Sequence, residues 1–167
     1  MNINNNKKEK QPYIVAVCGL KNSGKTAYTE GLIRELKKMG YSVAAFKHVA
    51  HEFESDSQGT DSHRFWEAGA NTVAVFSPHE LMFRTGSEDG LNKLLPLAQG
   101  NDILIIEGGK TLPYPKIAIV RSGISDVPVT REGLIAVATN TDYKDPEVPT
   151  HSLDDFAAGA KIIDGSL

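Results

Sequence analysis

The segment that most narrows what this chain can fold into is Gly19-Leu20-Lys21-Asn22-Ser23-Gly24-Lys25-Thr26. It lies between a short β-branched run, Tyr13-Ile14-Val15-Ala16-Val17-Cys18, and a stretch from Ala27 to Met39 with helical periodicity. In that stretch Leu32, Ile33 and Leu36 share one face, Arg34, Glu35, Lys37 and Lys38 the other, and Gly40 sits where a helix stops. Strand, glycine-rich loop and helix, in that order, form a G-x-x-x-x-G-K-[ST] phosphate-binding loop in its proper setting. The glycines let backbone N–H groups approach phosphate oxygens, Lys25 reaches the β and γ phosphates, and the Thr26 hydroxyl is placed for Mg²⁺. The expected nucleotide contacts are therefore Gly19, Asn22, Ser23, Gly24, Lys25, Thr26 and Ala27.

Further along, Tyr41–Lys47 and Asn71–Ser77 read as strands with a short helix, Asp61–Gly69, between them, which is the alternation of a parallel sheet. Leu81–Thr85 is a short additional strand. Ser87–Gln99 carries Leu91, Leu94, Leu95 and Ala98 at helical spacing, with Pro96 weakening its last turn. Asp102–Glu107, Lys116–Arg121 and Leu134–Thr139 are three more apolar strands. The expectation is an α/β fold of the P-loop NTPase type: a mostly parallel, doubly wound sheet of six or seven strands with helices on both faces, and ligands beyond the carboxyl ends of the strands.

With 167 residues, 40% of them hydrophobic, the chain suits one well-buried domain, over residues 12–167. Residues 1–11, polar and rich in Asn and Lys, read as a disordered tail with no apolar signal segment. A net charge of −3 leaves no polybasic footprint, which argues against nucleic acid and anionic membrane as partners. No apolar run is long enough for a membrane helix, and the expected location is cytoplasmic. The single cysteine, Cys18, excludes an internal disulfide and reads as a small buried hydrophobe.

Chemistry is expected at the strand ends. Glu107 closes the apolar run Ile103–Ile106 and precedes Gly108-Gly109-Lys110, the setting of a second-motif acid that meets Mg²⁺ directly or through water. The polar loop from His51 to Ser62 holds Asp56 and Asp61, either of which could hold Mg²⁺ or position water, while Asp61 could instead only cap the helix that follows. Arg64 is a candidate cationic finger in cis and Arg84 a weaker one. His48 and His51 lack a convincing fourth partner for zinc. Thr139-Asn140-Thr141-Asp142 stands where many GTPases carry [NT]-K-x-D. Asp142 there would accept hydrogen bonds from guanine N1–H and N2–H₂, although Asn140 replaces the lysine and a plain Asx-type turn is equally open.

Together, Gly19–Thr26, Phe46-Lys47-His48, Gly59-Thr60-Asp61-Ser62-His63-Arg64 with Ala68-Gly69-Ala70, and Ile105-Ile106-Glu107-Gly108-Gly109-Lys110 leading to Pro115-Lys116-Ile117 and Val120-Arg121 resemble the molybdopterin-guanine dinucleotide biosynthesis protein B family. The resemblance spans about Tyr13 to Thr139. It implies a dimeric GTP-binding protein, using GTP and Mg²⁺ with weak intrinsic hydrolysis, that assists a partner enzyme attaching GMP to molybdopterin. By that resemblance Asp61, Ser62 and Arg64 lie by the nucleotide or the molybdopterin substrate, and Glu107 and Lys110 complete the site. Gly109 departs from the family, which usually has an aromatic residue there. Taken together, the expected catalytic residues are Lys25, Asp61, Arg64 and Glu107, and the expected metal ligands are Thr26, Asp61 and Glu107. Two rival readings are a small-molecule kinase whose Asp56–Arg64 loop holds an acceptor hydroxyl, and a metallochaperone-type GTPase using His48, His51 and Glu52.

Overall fold

The computed structural model describes residues 10–49, 57–86 and 89–167. His51, Glu52, Asp56 and residues 1–9 of the polar tail lie outside them. In chain order the elements are β1 (Tyr13–Cys18), α1 (Lys25–Lys38), β2 (Val43–Lys47), α2 (Asp61–Glu67), β3 (Thr72–Phe76), β4 (Leu81–Thr85), α3 (Gly90–Leu94), a 3₁₀ turn (Leu95–Ala98), β5 (Ile103–Glu107), β6 (Lys116–Val120), β7 (Leu134–Thr139), β8 (Thr150–Ser152) and α4 (Phe156–Asp164). The chain divides into two compact units, one made of the segments up to His48 and from Leu97 onward, the other of Val49–Pro96.

The first unit is a six-stranded sheet in the order β2-β5-β1-β6-β7-β8, with every neighbouring pair parallel. Strand alternation sends Val15, Val17, Ile103, Ile105, Ile117, Ile119, Ala136 and Ala138 to one face, where Tyr28, Leu32 and Leu36 of α1 and Ala160 and Ile163 of α4 pack on them. The alternate residues Ala16, Leu104, Ile106, Ala118, Val120 and Val137 are also buried. Burial of both faces is why these strands read as continuous apolar runs instead of alternating ones. Lys10, which the sequence placed in the polar tail, pairs with Asp102 at 2.7 Å, and Asp102 also accepts from Ser42 N and Oγ at 2.8 and 2.7 Å. These bonds hold the Asp102 carboxyl well below the usual carboxylate range, the Lys10 contact contributing most.

Two elements of this unit, β8 and α4, were not anticipated. Helix α4 starts with Asp155 Oδ1 accepting Ala158 N at 3.0 Å and packs against α1. Their approach is close enough that a Cβ on Gly31 would land in the Phe156 ring, and one on Gly159 would collide with the Tyr28 hydroxyl. Tyr28 Oη shares a 2.7 Å hydrogen bond with His151 Nε2, joining α1 to β8.

The second unit corrects the expected topology. Strand β3 does not extend the parallel sheet; it pairs antiparallel with β4, from Thr72 opposite Thr85 to Phe76 opposite Leu81. The four-residue turn between them is closed by Ser77, whose N donates to Glu80 O at 2.8 Å and whose Oγ accepts from His79 N and Glu80 N. That short connection permits only the antiparallel partner. Helix α2 is shorter than expected and is capped by Thr60, whose side chain accepts His63 N at 3.2 Å, so Asp61 is its first residue and not its cap. Of the expected helix from Ser87 to Gln99, the described part consists of α3 and the 3₁₀ turn, the change falling after Leu94, just ahead of Pro96, which has no N–H to continue the ladder. Among the described residues no helix is long and apolar enough to cross a membrane.

Candidate functional site

Strand β1 lies between β5 and β6, so the loop at its carboxyl end emerges near the middle of the sheet. Asn22 (φ 64°) and Gly24 (φ 93°) adopt left-handed backbone, curling the loop so that successive N–H groups can face one concavity. Helix α1 follows at Lys25 with no side-chain cap at Gly24, leaving its first N–H groups and dipole for an anion. Ser23 is fully buried and its Oγ has no hydrogen-bond partner among the described residues. Lys25 Nζ donates to Gly19 O at 3.1 Å and Leu20 O at 2.8 Å, bonds to its own loop instead of to a carboxylate. A buried hydroxyl without a partner and an ammonium held only by carbonyls form a cradle chemically suited to phosphate.

Glu107 completes one wall. Its register opposite Val17 on β1 and Lys47 on β2 places three strand ends side by side. Thr26 Oγ1 donates to Glu107 Oε2 at 3.0 Å, bridging 81 positions of sequence, and Lys47 Nζ lies 3.7 Å from Oε1. The chain then turns at Gly108 (φ 96°), whose N donates to Val17 O at 2.8 Å, and a Cβ there would stand 2.6 Å from His48 O. A hydroxyl and a carboxylate oxygen in contact, next to a phosphate cradle, are the hard donors Mg²⁺ takes. Among the described residues no three His, Cys, Asp or Glu side chains gather as a metal cluster of their own.

Asp61 and Arg64 belong to the second unit, where they face each other at 3.6 Å across one turn of α2, both well exposed. Thr60 Oγ1 and Ser62 Oγ lie 3.3 Å apart beside them. Arg84 stacks over the Trp66 ring at 4.1 Å. Lys110 is exposed, and Gly109 has left-handed backbone (φ 66°), a conformation strained for any residue with a side chain, with a Cβ there 2.5 Å from Leu112 Cδ1. Asp142 is exposed on the turn after β7. That turn is built by Thr hydroxyls and not by an Asx side chain: Thr139 Oγ1 accepts Thr141 N at 3.0 Å, and Thr141 Oγ1 accepts Tyr143 N at 3.2 Å. Asn140 Oδ1 accepts Ser122 N at 2.9 Å. Cys18 is buried, and burial pushes its thiol up to about 11, so it is a packing residue.

The sequence reading missed Arg121 as a site residue. A Cβ on Gly24 would stand 2.7 Å from its Nη1, so the guanidinium lies on the phosphate loop. Period-two alternation carried signal for it: Ile117 and Ile119 face α1, and Arg121 is next in that series.

The family model of molybdopterin guanine dinucleotide synthesis protein B matches residues 14–140. A probable molybdopterin-guanine dinucleotide biosynthesis adapter protein of Bacillus subtilis is 35% identical over 111 residues, 64% of each chain. The molybdopterin-guanine dinucleotide biosynthesis adapter protein of Haemophilus influenzae is 33% identical over 133 residues, 76% of this chain and 74% of that one. A crystal structure of Bacillus subtilis MobB superposes with a TM-score of 0.71 at 28% identity, covering 92% of this chain and 97% of that one. With its phosphate loop, its strand-end glutamate and this match over most of its length, the chain belongs to the molybdopterin guanine dinucleotide synthesis protein B family.

Proposed function

We propose that this protein is a cytoplasmic, Mg²⁺-dependent GTP-binding adapter in molybdopterin guanine dinucleotide synthesis. In this reading it is a weak GTPase that works as a homodimer and assists a partner enzyme attaching GMP to molybdopterin. The meeting of Thr26 Oγ1 and Glu107 Oε2 at 3.0 Å beside the loop carries the nucleotide reading. The names of the two relatives, both molybdopterin-guanine dinucleotide biosynthesis adapter proteins, support the adapter role.

On this reading Lys25 exchanges the carbonyls of Gly19 and Leu20 for phosphate oxygens, and the amides from Asn22 to Ala27 cradle the phosphates together with the Ser23 hydroxyl. Thr26 and Glu107 would hold Mg²⁺ directly or through water, and the ion would neutralise phosphate charge there. Asp142 would accept hydrogen bonds from the guanine edge.

The test is a competition of GTP against ATP for the Mg²⁺-loaded protein, with and without Asp142→Ala. Preference for GTP that Asp142→Ala abolishes is the expected result; equal affinity for the two nucleotides in the unmodified protein defeats the guanine reading. Adding the protein to a GMP-transferring enzyme with molybdopterin should raise product formation, and Lys25→Ala should not.

A further inference from the structure

Arg121 stands on the opposite side of β1 from Glu107. The order β5-β1-β6 places the glutamate at the end of one flanking strand and the arginine just past the end of the other. A cation there serves a different part of a ligand from the part held at Thr26 and Glu107. We propose, on the premise that the loop binds a nucleotide, that Arg121 is a phosphate-binding residue that clamps the α and β phosphates of GTP.

Three observations carry this. First, the guanidinium already lies on the loop, beside the left-handed glycine whose curl brings the backbone amides together. In such loops those amides cradle the α and β phosphates. Second, the main chain of the residue is anchored without any ligand. Arg121 N donates to Ser125 Oγ at 3.2 Å, and its carbonyl accepts from Ile124 N at 3.0 Å and Ser125 N at 2.9 Å. The next residue, Ser122, is tied through its N–H to Asn140 of the turn that carries Asp142. Arg121 thus sits between the phosphate cradle and the turn proposed to read the base, which is the α-phosphate end of a nucleotide. Third, no carboxylate pairs with Arg121 among the described residues. A planar fork of N–H donors without a counter-ion, at an anion cradle, binds phosphate in bidentate fashion. Asn140, the residue that breaks the GTPase base motif, has an explanation in the same arrangement: its amide anchors the Arg121 loop.

The experiment compares Mg²⁺-GTP and Mg²⁺-GDP affinities of the unmodified protein, Arg121→Ala and Arg121→Lys by calorimetry, with unliganded melting temperatures alongside. Arg121→Ala should weaken GTP and GDP by the same factor, about tenfold for a lost charged hydrogen bond. Arg121→Lys should recover part of that, with unliganded melting unchanged. Affinities equal to the unmodified protein's would overturn the proposal. A loss confined to GTP would overturn it too, by placing the guanidinium at the γ phosphate. If Arg121→Ala does not fold, Arg121→Gln preserves most of the side chain's packing and carries the same comparison. Failure of the unmodified protein to bind either nucleotide is seen before any variant is made and defeats the nucleotide reading itself.

Discussion

Strands β1 and β5 of the first unit and strands β3 and β4 of the second draw on similar residue types, yet they end in opposite environments. Val15–Cys18 and Ile103–Ile106 are buried without exception, whereas in the hairpin only Val73 is, with Phe76 81% and Leu81 65% exposed. Neither composition nor β propensity separates the two regions. What separates them is the number of neighbours: a central strand of a six-stranded sheet has a strand on each edge and an α1–α4 layer on one face, while a two-stranded ribbon has one edge partner. The first unit, which carries the glycine-rich loop, is therefore the more deeply packed of the two. In the second unit α2, which bears Asp61 and Arg64, has no buried residue.

Four measurements press on that contrast. The largest effect is on binding: Lys25→Ala should lower nucleotide affinity at least about 100-fold, the loss of a charge on phosphate, with the melting temperature retained. Unchanged affinity in a folded Lys25→Ala protein would remove the first unit's claim to the phosphates.

Next comes packing. Gly31→Val forces α1 off Phe156 and should cost about 3 kcal/mol in denaturant unfolding, against a change within about 0.5 kcal/mol for Phe76→Ser in the exposed hairpin. Equal costs would break the comparison.

Third is the pH response of the first unit. Burial holds His151 below its ordinary value, with Asp155 opposing, and its Nδ1 has no partner. The folded protein keeps the ring neutral while the unfolded chain takes up a proton below about pH 6.5. Stability is then fully present above that pH and falls as the pH drops toward the lowered folded value, by at most about 1.4 kcal/mol per pH unit. His151→Gln should flatten this slope; an identical slope in the variant would assign the response to other groups.

The smallest effect belongs to the second unit. Arg84→Ala, which removes the guanidinium from Trp66, should change stability by less than about 1 kcal/mol. A larger loss would show the hairpin and α2 to be as tightly coupled as the sheet. Amide hydrogen exchange gives an independent reading, with β3 and β4 expected to exchange well before β1 and β5.

Much of the first unit was legible because its signals are local. The loop's glycines, the amphipathic α1 and the unbroken apolar runs of β1, β5, β6 and β7 each declare themselves within a dozen residues. Glu107 was legible for the same reason, as an acid ending such a run. Strand β3 misled because Thr72–Phe76 reads alike whether it joins a parallel sheet or a hairpin. Helix α4 escaped because Phe156–Asp164 is short, and Gly159 in its middle looks like a helix breaker until the Tyr28 hydroxyl is seen to need the space.

By itself the sequence determined the glycine-rich loop's strand and helix and the acid at the end of the fifth strand, because each is a contiguous pattern with one physical solution. Only the tertiary structure decided which distant residues meet that loop. Thr26 reaches Glu107 through the parallel register of β1 and β5, and Arg121 reaches Gly24 because β6 runs along the other edge of β1. Strand order is set by long-range pairing that no local pattern encodes, and that order gave the glycine-rich loop an acid on one side and a guanidinium on the other.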